Sequence, residues 1–183
     1  MSYSVKEVYS SIQLEGFHQG RPAIFLRFTG CNLWSGLERD RASAICQFCD
    51  TDFVGTDGDG GGSFATAGEL AARVASIWNR AETFDASRFV VCTGGEPLLQ
   101  LNDALLMALH VEGFEVAVET NGTREPIAQI DWLCVSPKAH APLVATCGDE
   151  LKLVYPQAGA APEQYADLQF DHFYLQPMYG KEA

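Results

Sequence analysis

Apolar residues in this chain follow two spacings, one typical of strands and the other of a single helix face. Six short runs rich in β-branched and aromatic residues predict strands. These runs cover residues 23–29, 88–92, 116–120, 132–136, 151–155 and 173–176. Because helix-like stretches separate them, we expect a mainly parallel sheet that binds ligands at the carboxyl ends of its strands.

Two helices are predicted in some detail between these strands. The run Thr66-Ala67-Gly68-Glu69 is a capping box, which marks the start of a helix. The apolar face of this helix carries Leu70, Val74, Ile77 and Trp78. A second helix is indicated by Leu101, Leu105, Leu106 and Leu109. With about three helices for about six strands, we expect an α/β fold in the form of a reduced, open (β/α) partial barrel.

Length, composition and charge limit the classes of function. The chain has 183 residues, enough for one domain, and a net charge of −12 that disfavours a nucleic-acid partner. No stretch approaches the ~20 apolar residues of a membrane helix, and the first residues do not resemble a signal peptide. We therefore expect a single domain over residues 1–183, no membrane partner, cytoplasmic localisation and reduced cysteines.

The segment Gly55–Gly62 reads GTDGDGGG and interrupts the alternation of strands and helices. Its aspartates raise the alternative of a calcium loop, but the spacing and closing glutamate of an EF-hand are absent. A flexible surface loop is the favoured interpretation.

Three cysteines carry the strongest chemical signal. Cys46 and Cys49 form a C-x-x-C pair, and Cys31 precedes Cys46 with fourteen residues between them. Three thiolates can bind a 4Fe–4S cluster and leave one iron open to another ligand. A zinc site is the alternative, with a fourth ligand from His18 or a distant cysteine.

The other three cysteines are interpreted as core residues, because free cysteine is among the most buried residue types. They are Cys92, Cys134 and Cys147. The four histidines match no ligand spacing and stay unassigned. They are His18, His110, His140 and His172.

A glycine pair follows the strand that ends at Cys92, in the run Thr93-Gly94-Gly95-Glu96-Pro97. Glycines at a strand end expose backbone N–H and C=O groups to a ligand that carries an amine and a carboxylate. Glu96 would face the ammonium of such a ligand. The alternative is an ordinary turn between a strand and a helix.

Together, the cysteine trio and the Gly-Gly-Glu-Pro run resemble the radical S-adenosylmethionine (SAM) superfamily. Its members usually have three residues between the first two cysteines, whereas this chain has fourteen. That spacing resembles the family of 7-carboxy-7-deazaguanine synthases with an enlarged cluster loop, here an insertion over about 31–63. The resemblance includes the runs Ser11–Gly16, Phe25–Leu33, Cys49–Thr51, Glu119–Gly122 and Gln176–Tyr179. Leu14 stands where the family usually has glycine.

The resemblance implies a set of site residues. The cluster ligands would be Cys31, Cys46 and Cys49, and the magnesium ligands would be Thr51, with Asp50 acting through water. SAM would contact Phe48, Gly94, Gly95, Glu96, Ser136, Pro137, Lys138, Gln176, Pro177, Met178 and Tyr179. Substrate would contact Ile12, Gln13, Leu14, Glu15, Arg27 and Thr93. Plainer alternatives are loop packing for Phe48, a solvated side chain for Lys138 and an exposed strand position for Arg27.

The resemblance also implies a reaction. A reduced 4Fe–4S cluster would cleave SAM to a 5′-deoxyadenosyl radical, which takes hydrogen from 6-carboxy-5,6,7,8-tetrahydropterin. The ring would contract with loss of ammonia to give 7-carboxy-7-deazaguanine, a step in queuosine biosynthesis. Mg²⁺, a flavodoxin-type or ferredoxin-type electron donor and a homodimer are part of the family expectation. Family members also usually continue past the position of Ala183 into a segment that lines the substrate pocket.

Two other functions stay open on the sequence alone. One is a different radical SAM enzyme, such as an activase that places a radical on a partner protein. The other is a binding module stabilised by zinc or by a cluster, without catalysis.

Overall fold

One open sheet of eight strands forms the centre of the molecule, in a computed structural model that describes residues 2–81 and 86–178. The strands are β1 (Tyr3–Ile12), β2 (Pro22–Phe28), β3 (Gly62–Phe64), β4 (Phe89–Gly94), β5 (Glu115–Thr120), β6 (Trp132–Val135), β7 (Cys147–Tyr155) and β8 (Gln169–Pro177). Their order across the sheet is β3-β1-β2-β4-β5-β6-β7-β8. From β2 to β8 neighbouring strands are parallel, whereas β1 pairs antiparallel with both β2 and β3.

The open α/β architecture confirms the predicted fold class, but the element counts differ. The sheet has two strands more than predicted, namely β1 and β3. Strand β3 is only three residues long, and in β1 the charged Lys6 and Glu7 interrupt the apolar pattern. The described residues contain two α-helices, α1 (Ala67–Arg80) and α2 (Asp103–Val111), and three short 3₁₀ helices at Glu38–Ser43, Pro97–Leu99 and Pro162–Gln164.

Both α-helices begin where the sequence provides a cap. Thr66 accepts a hydrogen bond from the backbone N–H of Glu69, and the Glu69 carboxylate accepts one from the N–H of Thr66, which is the predicted capping box. Asn102 caps α2 by accepting from the N–H of Leu105. The apolar faces of both helices pack on one side of the sheet in a single hydrophobic core.

The two faces of the sheet differ in character, since alternate residues of a strand point to opposite sides. Ile24, Leu26 and Phe28 of β2 belong to the core under the helices. Arg27, on the opposite face, is in register with Thr93 of β4. On the same face, Glu119 of β5 is in register with Cys134 of β6, which pairs with Glu150 of β7. The helix-free face therefore concentrates the polar and charged side chains of the sheet.

The core assignment of the three remaining cysteines is correct for two of them. Cys92 and Cys134 are buried, and burial raises the pKa of the Cys92 thiol to about 12. The prediction is wrong for Cys147, which is exposed because it is the first residue of β7, at the amino end of the sheet.

The glycine-rich segment lies at the surface as predicted, but it is attached to β1. The backbone carbonyl of Asp59 accepts from the N–H of Val8, and the N–H of Gly58 donates to the carbonyl of Lys6. The ammonium of Lys6 pairs with Asp57 at 2.8 Å and with Asp52 at 2.9 Å. These contacts hold the glycine-rich segment, and Asp52 before it, against β1.

Candidate functional site

A cavity of about 600 Å³ opens on the helix-free face, at the carboxyl ends of the parallel strands. It brings together most of the residues that the sequence proposed for the site. Those that line it are Ile12, Gln13, Leu14, Glu15, Arg27, Cys46, Phe48, Cys49, Asp50, Thr51, Thr93, Gly94, Gly95, Ser136, Lys138, Gln176, Pro177 and Met178. The sequence-predicted residues thus come from strand ends and loops that are far apart in the chain.

Among the described residues, three predicted ones are not part of this lining, namely Cys31, Glu96 and Pro137. A fourth predicted residue, Tyr179, falls outside the described residues. Glu96 is fully buried, so the expectation that it faces a ligand ammonium needs correction. Its carboxylate instead accepts from the Thr120 hydroxyl at 2.7 Å and from the N–H of Asn121 at 2.8 Å. Glu96 therefore joins the end of β4 to the end of β5, and burial raises its pKa.

Two of the three cysteines face the cavity and interact with each other. A hydrogen bond between the two side chains raises the pKa of Cys46 and lowers that of Cys49 to about 6. The side chain and backbone of Thr51 also hydrogen-bond Cys49 and lower its pKa further. Burial raises the pKa of Cys31, whose sulfur accepts from the N–H of Leu33 at 3.4 Å.

The donor set supplies the three thiolates that an iron–sulfur cluster needs. Zinc needs its ligands at about 2.0–2.3 Å from one point. Across residues 2–81 and 86–178, no three His, Cys, Asp or Glu side chains are arranged to hold one metal ion. In a cluster three thiolates bind three different irons. Three cysteines lie on one loop here, and two of them are in the cavity wall.

The two glycines after β4 permit a close backbone approach. A Cβ on Gly94 would collide with the backbone of Phe28, and a Cβ on Gly95 would collide with the carbonyl of Gly30 and lie 2.7 Å from the Cβ of Cys31. The N–H of Glu96 donates to the carbonyl of Gly30 at 2.9 Å. The glycine pair thus lets the end of β4 pack directly under the first cysteine while its other side faces the cavity.

Arg27 is largely buried and lines the cavity, so it is not the exposed strand residue of the alternative interpretation. Its Nε donates to Glu7 at 2.7 Å and its Nη2 to the Tyr9 hydroxyl at 3.2 Å. Burial works against the charge, but Glu7 and Tyr9 outweigh it and raise the pKa of Arg27. The guanidinium is therefore a fixed cation at the cavity wall.

The floor of the cavity is a buried network of opposite charges. Lys152 donates to Glu15 at 2.8 Å and to Glu119 at 3.0 Å, and the Gln13 amide donates to Glu119 at 3.1 Å. Burial favours the neutral forms of Lys152 and Glu119, but their mutual attraction is larger. The pKa of Lys152 is raised and that of Glu119 is lowered. The floor thus presents the ionised carboxylate of Glu119 in a largely buried setting.

A second lysine stands near the cysteines. Lys138 donates to the carbonyl of Ser136 at 2.6 Å and to its hydroxyl at 2.7 Å. Burial lowers the pKa of Lys138, and the nearby thiols of Cys46, Cys134 and Cys49 oppose that shift. Since Lys138 is held against β6 and lines the cavity, it is not the solvated lysine of the plainer alternative.

Sequence reasoning missed several residues of this wall. Tyr9 and Phe25 stack with ring centroids 5.4 Å apart, and both line the cavity with Lys152 and Val154. A signal for Lys152 does exist in the sequence. Glu150 and Lys152 alternate with the apolar Leu151 and Leu153, so a strand buried on both faces carries ionisable groups on one of them.

Comparisons with known proteins agree with this geometry, although no protein-family model matches the chain. The 7-carboxy-7-deazaguanine synthase of Caulobacter vibrioides is 60% identical over 182 residues, which cover 100% of this chain and 85% of that protein. The enzyme of the same name from Bordetella pertussis is 61% identical over 98% of this chain and 84% of its own length. Among solved structures, QueE from Escherichia coli has a TM-score of 0.70 at 26% identity, over 100% of this chain and 86% of that one.

Fold and site define an open partial barrel of the radical SAM type, with the cysteine loop and the glycine pair at the carboxyl ends of its strands. The similar proteins identify one family within the class of radical SAM proteins. This chain belongs to the 7-carboxy-7-deazaguanine synthase family.

Proposed function

We propose that this protein converts 6-carboxy-5,6,7,8-tetrahydropterin into 7-carboxy-7-deazaguanine with loss of ammonia, in queuosine biosynthesis. Membership of the family supports this function. The observation that carries it here is a single cavity that holds thiols, a buried arginine and a carboxylate floor. These are the groups needed for a cluster, for a substrate carboxylate and for the N–H edge of a pterin.

The cofactors of this proposal are a 4Fe–4S cluster, SAM and Mg²⁺. When bound, the cluster and SAM supply a 5′-deoxyadenosyl radical through one-electron reduction. Cys31, Cys46 and Cys49 would hold the cluster. Gly94 and Gly95 would offer backbone groups to the methionine part of SAM, and Ser136 and Lys138 would reach its ribose or carboxylate. Phe48, Gln176, Pro177 and Met178 would enclose its adenine side.

Substrate orientation is the task of the opposite wall. Arg27 would bind the carboxylate of the pterin, because a guanidinium fork and a carboxylate match in geometry and charge. Glu15, Gln13 and Glu119 would take the amide-like and amino edge of the ring. The Lys152 ammonium lies between the carboxylates of Glu15 and Glu119. It lowers the pKa of Glu119, which keeps that carboxylate ionised and able to accept hydrogen bonds.

Thr51 would offer a hydroxyl oxygen to Mg²⁺, and Asp50 would act through water. Magnesium favours hard oxygen ligands and usually retains several waters, so few protein ligands are needed. Ile12, Leu14 and Thr93 would complete the substrate contacts. The resulting position of the ring near the cysteine loop is what the chain contributes to catalysis.

The wider assembly belongs to the same proposal. We propose one radical SAM domain over residues 1–183 with the insertion over 31–63, an external flavodoxin-type or ferredoxin-type donor and a homodimer. No helix in the described parts of the chain is long and apolar enough to cross a membrane. Cytoplasmic localisation stays a prediction. Family membership sets aside the protein activase and the zinc-stabilised module.

The decisive experiment is an anaerobic assay of the reduced, iron-reconstituted protein with SAM, Mg²⁺ and the carboxylated tetrahydropterin, read by mass spectrometry. We expect about four irons per chain and formation of 7-carboxy-7-deazaguanine. Cys46→Ser should abolish the product, and Cys147→Ser, which changes an exposed cysteine far from the cavity, should leave it unchanged. Colourless protein with stoichiometric zinc, or cleavage of SAM without pterin conversion, would overturn the proposal.

A further inference from the structure

The fourteen residues between Cys31 and Cys46 form a folded unit at the edge of the site. The N–H groups of Ile45 and Cys46 both donate to the carbonyl of Leu33, which brings the end of the unit back to its beginning. Trp34 is largely buried, and its ring packs edge-on against Phe53 at 5.6 Å. The segment between Cys31 and Cys46 is therefore folded, and it ends directly at the C-x-x-C pair.

One side chain joins the start, the middle and the end of this unit. The guanidinium of Arg41 lies 4.1 Å from the centre of the Trp34 ring. Its Nε donates to Glu38 at 2.7 Å. Its Nη1 donates to the carbonyl of Gln47 at 2.9 Å and to the carbonyl of Cys49 at 3.0 Å. The two carbonyls lie on either side of Phe48, so Arg41 holds the chain that carries both cysteines of the pair.

We propose that Arg41 is a positioning residue for the cluster site, one that fixes the C-x-x-C segment and places a permanent positive charge beside it. The inference rests on the proposed function only in assuming that the three cysteines hold a cluster. It adds a role for the fourteen-residue segment between Cys31 and Cys46, which is to carry Arg41 to this position.

Arginine is suited to this task in three ways. Its planar group can stack on an indole while its edge donates several hydrogen bonds. Its charge also persists at every working pH. A fixed cation near an iron–sulfur cluster favours the reduced, more negative form and so raises the reduction potential. The side chain is only 28% exposed, which limits screening of that charge by water and salt.

The same 3₁₀ helix provides a matched control. Arg39 is two residues away, its side chain is 78% exposed, and its contact with Asp40 is long at 3.7 Å. Changing Arg39 removes the same formal charge from the same helix without touching the C-x-x-C segment. Any effect specific to Arg41 must then arise from its contacts or from its proximity to the cluster.

The test compares Arg41→Gln, Arg41→Lys and Arg39→Gln after anaerobic reconstitution, without SAM and without pterin. Iron and sulfide per chain report cluster retention, and a redox titration followed by electron paramagnetic resonance reports the reduction potential. For Arg41→Gln we expect several-fold less bound iron. In the fraction that still holds a cluster, we expect the ratio of reduced to oxidised cluster at a fixed donor potential to fall about tenfold. That change corresponds to a reduction potential lower by ~59 mV for one electron. Arg41→Lys keeps a charge but cannot stack and bridge as well, so it should lose iron while its potential stays near that of the parent.

Arg39→Gln should match the parent in both measurements. If Arg41→Gln also matches the parent, or if Arg39→Gln shifts the potential as much as Arg41→Gln does, the inference is wrong. Should Arg41→Gln fail to fold by circular dichroism, Arg41→Lys alone decides, and parent-like iron content in that variant overturns the positioning role. A parent protein that binds four irons but converts no pterin would contradict the proposed function and leave the role of Arg41 intact.

Discussion

The ammonium of Lys152 lies 2.8 Å from the carboxylate of Glu15, a residue 137 positions earlier in the chain. The side chain of Lys152 is only 7% exposed, and a second carboxylate, that of Glu119, lies 3.0 Å away. A buried ion pair stabilises little by itself, but loss of one partner leaves an uncompensated charge in a dry site. The floor of the cavity therefore depends on all three residues together.

Replacement of Lys152 by methionine should destabilise the protein by about 3 kcal/mol, the low end of the range for broken buried pairs, because Glu15 is partly exposed. Urea denaturation at neutral pH measures the change. The double variant Lys152→Met with Glu119→Gln should recover part of the loss, since it removes the orphaned charge as well. A loss in the single variant below about 1 kcal/mol, the level of an exposed pair, would contradict this account.

Arg27→Ala should weaken binding of the carboxylated pterin by about tenfold or more, because a hydrogen bond to a charged group is worth about 1.5–3 kcal/mol. Iron content should not change, since the hydrogen bonds of Arg27 are to Glu7 and Tyr9 on β1. Titration of the SAM-loaded protein with pterin measures the affinity. Tyr9→Phe, which removes only one 3.2 Å contact of the guanidinium, serves as the control and should have a small effect. Unchanged affinity in Arg27→Ala would remove Arg27 from the substrate site.

Thr51→Ala should reduce the stimulation of turnover by magnesium, and Thr51→Ser should retain it because the hydroxyl is preserved. Thr51 also hydrogen-bonds Cys49, so iron content must be measured in parallel. A variant with full iron content and weaker magnesium stimulation supports a metal-binding hydroxyl. If the magnesium response of Thr51→Ala equals that of the parent, Thr51 is not a ligand.

Gly95→Ala should lower iron binding several-fold. The added methyl group would collide with the Gly30 carbonyl and press on Cys31. Gly68→Ala is the matched control, because no atom lies within 4 Å of the added methyl group, and in a helix it should stabilise by about 0.5 kcal/mol. Iron analysis and thermal unfolding of both variants test the contrast. Normal iron content in Gly95→Ala would show that the close approach is dispensable.

His18 should make stability depend on pH on the acid side of neutrality. Burial and the charge of Arg21 lower its pKa below the ordinary 6.5, against the opposing carboxylates Glu115, Glu150 and Asp149. The unfolded chain then binds a proton more readily than the folded one. The free energy of unfolding is therefore unaffected by protonation of His18 above pH 6.5, and it decreases as pH falls towards the folded-state pKa of His18. Its ring nitrogen Nε2 is buried with no hydrogen-bond partner among the described residues.

His18→Phe should reduce the change in unfolding free energy between about pH 7 and pH 5.5, because phenylalanine cannot titrate. The ring would still fit among its aromatic neighbours Phe17, Phe89 and Trp132. His140→Asn is the control, since His140 is exposed and its positive φ of 66° suits asparagine. An identical pH dependence in His18→Phe and the parent would refute the assignment.

Local signals in the sequence were sufficient for much of the site. The spacing of Cys31, Cys46 and Cys49 and the glycine pair are short patterns whose chemistry does not depend on distant residues. Placement of these patterns at strand ends then followed from the alternation of strands and helices. The capping box at Thr66 succeeded for the same reason, because both of its hydrogen bonds lie within one turn.

Contacts between residues far apart in the chain could not be predicted from the sequence. The partners of Lys152 come from β5 and from the turn after β1, and no spacing in the sequence indicates that these segments meet. Glu96 illustrates the opposite error, since its motif suggested a ligand contact while the fold uses its carboxylate between Thr120 and Asn121. Strand β1 was missed because Lys6 and Glu7 hide its pattern, although Lys6 is buried by its contacts with Asp52 and Asp57.

The cavity takes its walls from Ile12 near one end of the chain and from Met178 near the other. A polypeptide emerging from the ribosome therefore cannot complete this cavity until β8 has been synthesised. Pairings across such sequence distances are slow to form, because the entropy of closing large loops must be overcome first. We expect the nascent chain to lack a complete cavity for cofactor and substrate until β8 has been translated.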